Sequence, residues 1–444
     1  MAEPPAKRAE NYKEWETATV PGETRTQVES PAVCRAAPSA ASNMATGYAT
    51  MPSSIADVPS PSIKPKPKTA DVPRHAAVPG LVPLLACGAT SKIKAPPLTL
   101  VYEPRETFAT EKAEERDRKM YRETIQPTSM WVQSYEDRWS FQKALTYNKT
   151  TKVGVNLVTL NENGEECIMK FRCYDPDLSE LRNQIRRSNL VREMLVSMFV
   201  AKTIGCQYFA WVNPQLFLIS NAVCFEMEYC EHRDLRALSK TDMLSTERLR
   251  LISEAARGLE KLHSLGLVHF DVKLSNIGVS QDAHGIKRAK LIDLGSTKVV
   301  GARPLKTNLF LDGDTNTYRC PELWALRRNC FPPAYSLHAE VDMWALGICV
   351  VRLFFKTHHS PWKAANGDDP NYADFIRMNH IGAAAHGLIS DPPMLQFSHA
   401  DYQQSQSWFV NYLASNLLRV MRQCRMSPKC VADRIDQHLA NGGE

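Results

Sequence analysis

Over the first hundred positions the apolar residues show no sustained periodicity, and their longest runs, such as Leu81 to Ala86, stay short. Between 111 and 123 the pattern is one of alternating charge, as on a solvated helix leading into a domain. Strand-length apolar runs begin at Val153 to Leu160. The turn formers Asn161-Glu-Asn-Gly164 and a second run, Glu165 to Phe171, complete a predicted β-hairpin. Helices are predicted over Leu178 to Thr203 and Leu249 to His263, with a strand at Ile277 to Val279.

Composition sharpens the division. Fifteen of the 28 prolines fall within the first hundred residues, among Ala, Ser, Thr and Lys, so this segment cannot bury enough apolar surface to offset chain entropy. Residues 1–98 are therefore expected to be a disordered arm, and 99–139 a charged helical or irregular lead-in. The Lys64-Pro-Lys-Pro-Lys68 cluster reads as a solvated linker, an import address or a polyproline II ligand, which makes adaptor binding through the arm a candidate. A net charge of +6 over 444 residues is mild, and direct nucleic-acid binding is not expected. The twelve cysteines include no C-x-x-C pair, which fits a reducing compartment, cytoplasm or nucleus. No apolar run is long enough to span a membrane.

Candidate chemistry concentrates in Leu267-Val-His-Phe-Asp-Val-Lys-Leu-Ser-Asn276, between the second predicted helix and the strand after it. Phosphoryl transfer to a hydroxyl needs a carboxylate to orient the attacking oxygen, a cation near the moving phosphoryl group and an oxygen ligand for Mg2+. Asp271, Lys273 and Asn276 supply these in order.

The H-x-D-x-K-x-x-N pattern resembles the catalytic loop of the eukaryotic protein kinase superfamily, and three further motifs follow in that family's order. Leu291-Ile-Asp-Leu-Gly295 resembles its D-F-G segment, with Leu294 in place of Phe. Thr315-Asn-Thr-Tyr-Arg-Cys-Pro-Glu322 resembles the segment ending in A-P-E, and Asp342-Met-Trp-Ala-Leu-Gly347 the start of the large buried helix. The resemblance implies an α+β, two-lobed kinase fold. A small β-sheet lobe with one main helix would occupy 140–227, and a larger, mostly helical lobe 228–440. It also implies ATP and Mg2+ as cofactors, with Asn276 and Asp293 as metal ligands.

On the nucleotide side, Lys170 stands where the family places its phosphate-contacting lysine, and the following helix offers Glu193 as its partner, with Glu180 as the alternative. Phe225 to Leu235 resembles the hinge between lobes. Met227 falls at the gatekeeper position, main-chain groups of Glu228 and Cys230 would meet adenine, and Asp234 would reach the ribose. The glycine-rich loop is degenerate: of three expected glycines only Gly154 is present. Weakened backbone contact with phosphate would then call for side-chain charge, for which Lys149 and Lys152 are the candidates.

Lys273 and Thr315 match the Ser/Thr-specific form of the family, which implies protein substrates with Ser or Thr acceptors. Phe270 replaces the arginine that commonly precedes the catalytic aspartate, and a phenyl ring cannot pair with a phosphate, so activation-segment phosphorylation at Thr307, Thr315 or Thr317 is not expected to be required. His269 and Asp342 are expected to support the loop, and Glu322 to pair with Arg422 or Arg425. The leading reading is a Ser/Thr protein kinase. A pseudokinase scaffold is the second and a small-molecule phosphotransferase the third.

Overall fold

A computed structural model describes residues 106–108, 131–133, 138–219, 222–304, 313–323, 337–355, 361–363, 365, 368–380, 395 and 407–443. The expected arm at 1–98 and the charged stretch 111–123 lie outside these residues. Two short pieces of the lead-in are described, and both are strands rather than helix: β1 (Glu106–Phe108) and β2 (Trp131–Gln133).

The smaller lobe is a six-stranded sheet. It comprises β2, β3 (Trp139–Asn148), β4 (Val153–Leu160), β5 (Glu166–Cys173), β6 (Val212–Ile219) and β7 (Ala222–Glu228), in the order β2-β6-β7-β5-β4-β3. Every pairing is antiparallel except β2 with β6, so the sheet starts earlier in the chain than position 140. Alternation along β5 sorts its side chains by face. Cys167, Met169 and Phe171 enter a cluster with Trp139, Val158 and Phe217. Ile168, Lys170 and Arg172 fall on the opposite face by the same period. At the sheet's margin the fully buried Glu226 accepts from Arg138 Nε at 2.6 Å, Trp139 Nε1 at 2.5 Å and Asn213 Nδ2 at 2.5 Å. Three donors around one buried carboxylate offset its desolvation and pin the start of β3 to β7.

Helix α1 (Glu180–Ile204) starts at Ser179, whose hydroxyl accepts the Arg182 N–H, and ends at Gly205, φ +97°. Its residues Leu190, Val191, Met194 and Leu195 pack with Leu216, Val223 and Phe225 of the sheet. That apolar contact sets the rotation of α1 and so the direction of Glu193.

The larger lobe is built around α3 (Ser245–Ser264) and α4 (Glu340–Phe354), preceded by the short α2 (Leu235–Leu238) and followed by α5 (Pro370–His380), α6 (Trp408–Leu417) and α7 (Pro428–Ala440). Trp344 of α4 is fully buried and lies against Trp362 and Phe375. Small two-stranded sheets complete the lobe: β8 (Leu267–Val268) pairs with β11 (Lys298–Val299), and β9 (Ile277–Gln281) with β10 (Lys287–Leu291). The lead-in strand β1 pairs antiparallel with β12 (Ala302–Pro304). The predicted catalytic loop thus spans α3 and β9, anchored at both ends. Among the described residues no helix is long and apolar enough to cross a membrane.

Candidate active site

Lys170 joins the two lobes. Its Nζ lies 2.5 Å from Glu193 Oε1 on α1 and 3.0 Å from Asp293 Oδ1 after β10. Glu180, the alternative partner, sits in the first turn of α1 and accepts from Gln184 Nε2 instead. Burial works against the charge on Lys170, but the carboxylates of Asp293 and Glu193 together outweigh it and hold its pKa above the usual lysine range. Burial pushes Glu193 up to about 7 against the pull of Lys170. Asp293 goes the other way, down to about 2, chiefly because Lys170 is beside it. Its side chain keeps 41% of its exposure, so a nearly permanent anion faces the cleft.

Asp293 has a left-handed backbone, φ +61°, which is uncommon for a residue with a side chain. Leu294 is buried in the large core, filling the role expected of an apolar residue there. At Gly295 a Cβ would stand 3.0 Å from Glu193 Oε2, so glycine permits the close approach of this segment to α1.

The catalytic-loop residues meet one another directly. Asp271 Oδ2 accepts from Lys273 Nζ at 2.9 Å and from Asn276 Nδ2 at 3.0 Å, and Asn276 Nδ2 also reaches the Asp271 carbonyl at 2.9 Å. The second carboxylate oxygen, Asp271 Oδ1, is buried without a hydrogen-bond partner. A buried acceptor in that condition is costly unless a donor arrives, and a substrate hydroxyl is such a donor. His269 is fully buried, and Phe270 packs into the core at φ +66°. Asp342 accepts their two backbone N–H groups, each at 2.8 Å, and also bonds His263 Nε2 at 2.9 Å.

The hinge is tied down rather than open. Glu228 accepts from Lys290 Nζ at 2.5 Å and from the Trp211 N–H at 3.1 Å, and donates its own N–H to the Trp211 carbonyl. The Cys230 carbonyl takes the Arg233 N–H, and burial pushes the Cys230 thiol up to about 12. Asp234 caps α2 through Oδ1 on the Ala237 N–H, 2.7 Å, so only its other oxygen is left for a ribose. Thr315 lies in the 3-10 segment Gly313–Tyr318, but its side chain is outside the described residues. Thr317 is buried there, and its carbonyl accepts from Trp362 Nε1.

A cavity of about 660 Å³ lies between the β3–β4 turn, β5, α1 and Asp293. Lys170, Arg172, Glu193 and Asp293 line it, while Met227, Glu228, Cys230 and Asp234 do not. Neither Lys149 nor Lys152 lines it, contrary to the expectation for the degenerate loop. Arg172 brings the second cation instead. Its strand position was the available signal, since residues two apart on β5 share a face with Lys170. Gly154 stands in β4, inside the strand predicted over Val153 to Leu160, and a Cβ there would fall 2.2 Å from the Phe171 ring.

A family model for the protein kinase domain matches residues 153–438. The chain belongs to the protein kinase family. Proteins of similar sequence carry kinase names. The chain is 26% identical over 234 residues to "Serine/threonine-protein kinase SBK1" of Mus musculus, covering 52% of this chain and 49% of that protein. It is 32% identical over 164 residues to "Serine/threonine-protein kinase SBK2" of Homo sapiens, covering 35% and 43%. A third match, 32% over 145 residues, is to "Inhibitor of nuclear factor kappa-B kinase subunit alpha" of Xenopus tropicalis, covering 31% and 18%. The chain spans about half the length, or less, of these relatives.

Proposed function

We propose that this kinase domain is active, transferring the γ-phosphate of ATP to Ser or Thr hydroxyls of proteins without needing a phosphate on its activation segment. The observation that carries the proposal is Lys170 bridging Glu193 and Asp293 while Asp271 Oδ1 remains unpaired in the loop below. The donor set fits a hard cation: Asn276 offers an amide oxygen and Asp293 an exposed, strongly acidic carboxylate. These two residues would hold Mg2+, which supplies neutralisation of phosphate charge when bound.

The chain's own residues supply positioning. Lys170 fixes the α- and β-phosphates, Asp271 orients the acceptor hydroxyl and takes its proton, and Lys273 holds the Asp271 carboxylate from the other side. As the hydroxyl oxygen bonds to the γ-phosphorus, the bond to the β-phosphate oxygen breaks and its electron pair leaves on ADP. Lys273, two residues after Asp271, and Thr315 support Ser and Thr acceptors. The Pro/Lys-rich arm would recruit adaptors, and the cytoplasm or nucleus is the compartment proposed from cysteine usage.

A pseudokinase reading has one observation in its favour. Asn148 caps the β3–β4 turn from within, its Oδ1 accepting the N–H groups of Thr150 and Thr151 at 3.0 Å and its carbonyl that of Lys152 at 2.8 Å. Those donors are therefore already engaged. ATP turnover on a generic basic protein, compared between the wild type and Asp271→Asn, decides between the readings. Activity should fall on the order of 10²–10⁴-fold in the variant with ATP affinity retained. A wild type that transfers no phosphate supports the scaffold.

A further inference from the structure

The turn that should hold phosphate with its backbone cannot do so as it stands, because Asn148 occupies three of its N–H groups. The turn is also fastened down. Arg186 Nη1 of α1 donates to the Thr150 carbonyl at 3.2 Å, and the Lys152 carbonyl accepts from the Cys173 N–H at 2.9 Å. Anything bound beneath it must find its positive charge elsewhere.

Arg172 is placed to provide it. In the β4–β5 register Val153 stands opposite Arg172 and Val155 opposite Lys170, so Arg172 is two cross-strand pairs nearer the turn, on the same cavity-lining face. Its Nη1 is fixed on the Arg186 carbonyl, which removes much of the freedom of a long side chain before any ligand arrives. A guanidinium carries its positive charge on five donors in a rigid fork whose geometry matches phosphate oxygens. Its charge also reaches Glu193, whose acidity it increases, consistent with a position at the Lys170–Glu193 pair.

We infer that Arg172 is a phosphate-binding residue of this kinase domain, gripping the polyphosphate of ATP in place of the backbone N–H groups that Asn148 engages. This inference rests on the ATP reading above. The ligand chemistry it predicts is specific: Arg172 should distinguish nucleotides by their phosphates and be indifferent to the nucleoside. A purely structural strut between β5 and α1 would act through Glu193 and its partner Lys170, which itself meets the phosphates, so Arg172→Gln would cost nothing further in a Glu193→Gln background, whereas a direct phosphate contact keeps its ATP-selective loss there.

The test is calorimetric titration of the full chain, wild type, Arg172→Gln and Arg172→Lys, with ATP, ADP and adenosine in the presence of Mg2+. The expected result is that Arg172→Gln loses about tenfold or more in ATP and ADP affinity, as for a lost hydrogen bond to a charged group, while adenosine binding is unchanged. Arg172→Lys should recover part of the loss, because it restores charge without the fork. A loss shared equally by ATP and adenosine, or unchanged ATP affinity in both variants, overturns the inference while leaving the kinase reading intact. If Arg172→Gln fails to fold, Arg172→Lys decides: a selective loss for the phosphorylated ligands supports the inference, and none overturns it. A wild type that binds no ATP sinks the kinase reading, and this inference with it.

Discussion

The backbone N–H of Phe270 donates to Asp342 Oδ1 at 2.8 Å, and Phe270 is thereby held in a left-handed conformation with its ring in the core of the larger lobe. A β-carbon residue in that region is strained by roughly 1–3 kcal/mol, and the buried carboxylate with its three donors offsets the strain. The phenyl ring therefore serves packing, where an arginine would reach toward a phosphate on the activation segment. Treatment with a broad phosphatase should leave turnover unchanged. Loss of turnover that returns on rephosphorylation of Thr307 or Thr315 would overturn that independence, as it would on rephosphorylation of Thr317, which is buried here.

Glu193 gives the kinase domain a pH dependence of definite sign. Its folded pKa of about 7 stands above the unfolded carboxylate range of roughly 4.3, because burial disfavours the charged form. Between those values the folded state binds more protons than the unfolded one, so Glu193 makes the protein less stable as pH rises through that window. Activity follows the opposite slope, since the ion pair with Lys170 requires the ionised acid. For ATP, kcat/KM should rise with pH around a midpoint near 7 in the wild type. Glu193→Gln should lose that inflection; a profile with the same midpoint in the variant assigns the titration to another group.

Which parts of this arrangement could be read from sequence follows the range of the interactions. Lys170, Asp271, Asn276 and Asp293 declare themselves because each sits in a short motif with fixed spacing, and the helices appear because the 3.6-residue period is local. β2 does not announce itself. It is three residues long and pairs parallel to β6, a contact across about eighty positions that leaves no local period. Asn148 carries no local signal either, because its role lies in a side chain that caps the turn. The choice between Arg422 and Arg425 is equally invisible, as both lie in one short polar run.

Packing makes that choice. Arg425 places Nη1 and Nη2 on the two carboxylate oxygens of Glu322 at 2.5 and 2.7 Å, its side chain wholly buried beneath Trp344, while Arg422 begins a 3-10 turn. Removing either member of such a pair strands the other charge in the core and costs about 3–5 kcal/mol. Glu322→Ala and Arg425→Ala should each lower the melting temperature and soluble yield strongly. The double variant should cost less than the sum of the singles, whereas Arg422→Ala should have little effect. Additive single effects in denaturant titrations would count against a coupled pair.

Gly154 gives the sharpest contrast between a packing role and a phosphate-binding one. A Cβ at this position would lie 2.2 Å from the Phe171 ring, which itself stacks on Tyr147 with centroids 6.2 Å apart. The ring cannot retreat easily, being buried in the sheet's apolar cluster with Met169 and Trp139. Overpacking of this kind costs about 1–3 kcal/mol. Gly154→Ala should therefore lower thermal stability, and Phe171→Leu in the same chain should restore part of it by opening the space the methyl needs. ATP affinity, measured by titration in the rescued double variant, should return toward that of the Phe171→Leu single variant. If stability returns and ATP affinity does not, the glycine is needed for close approach of nucleotide phosphates rather than for the fit of β4 against β5.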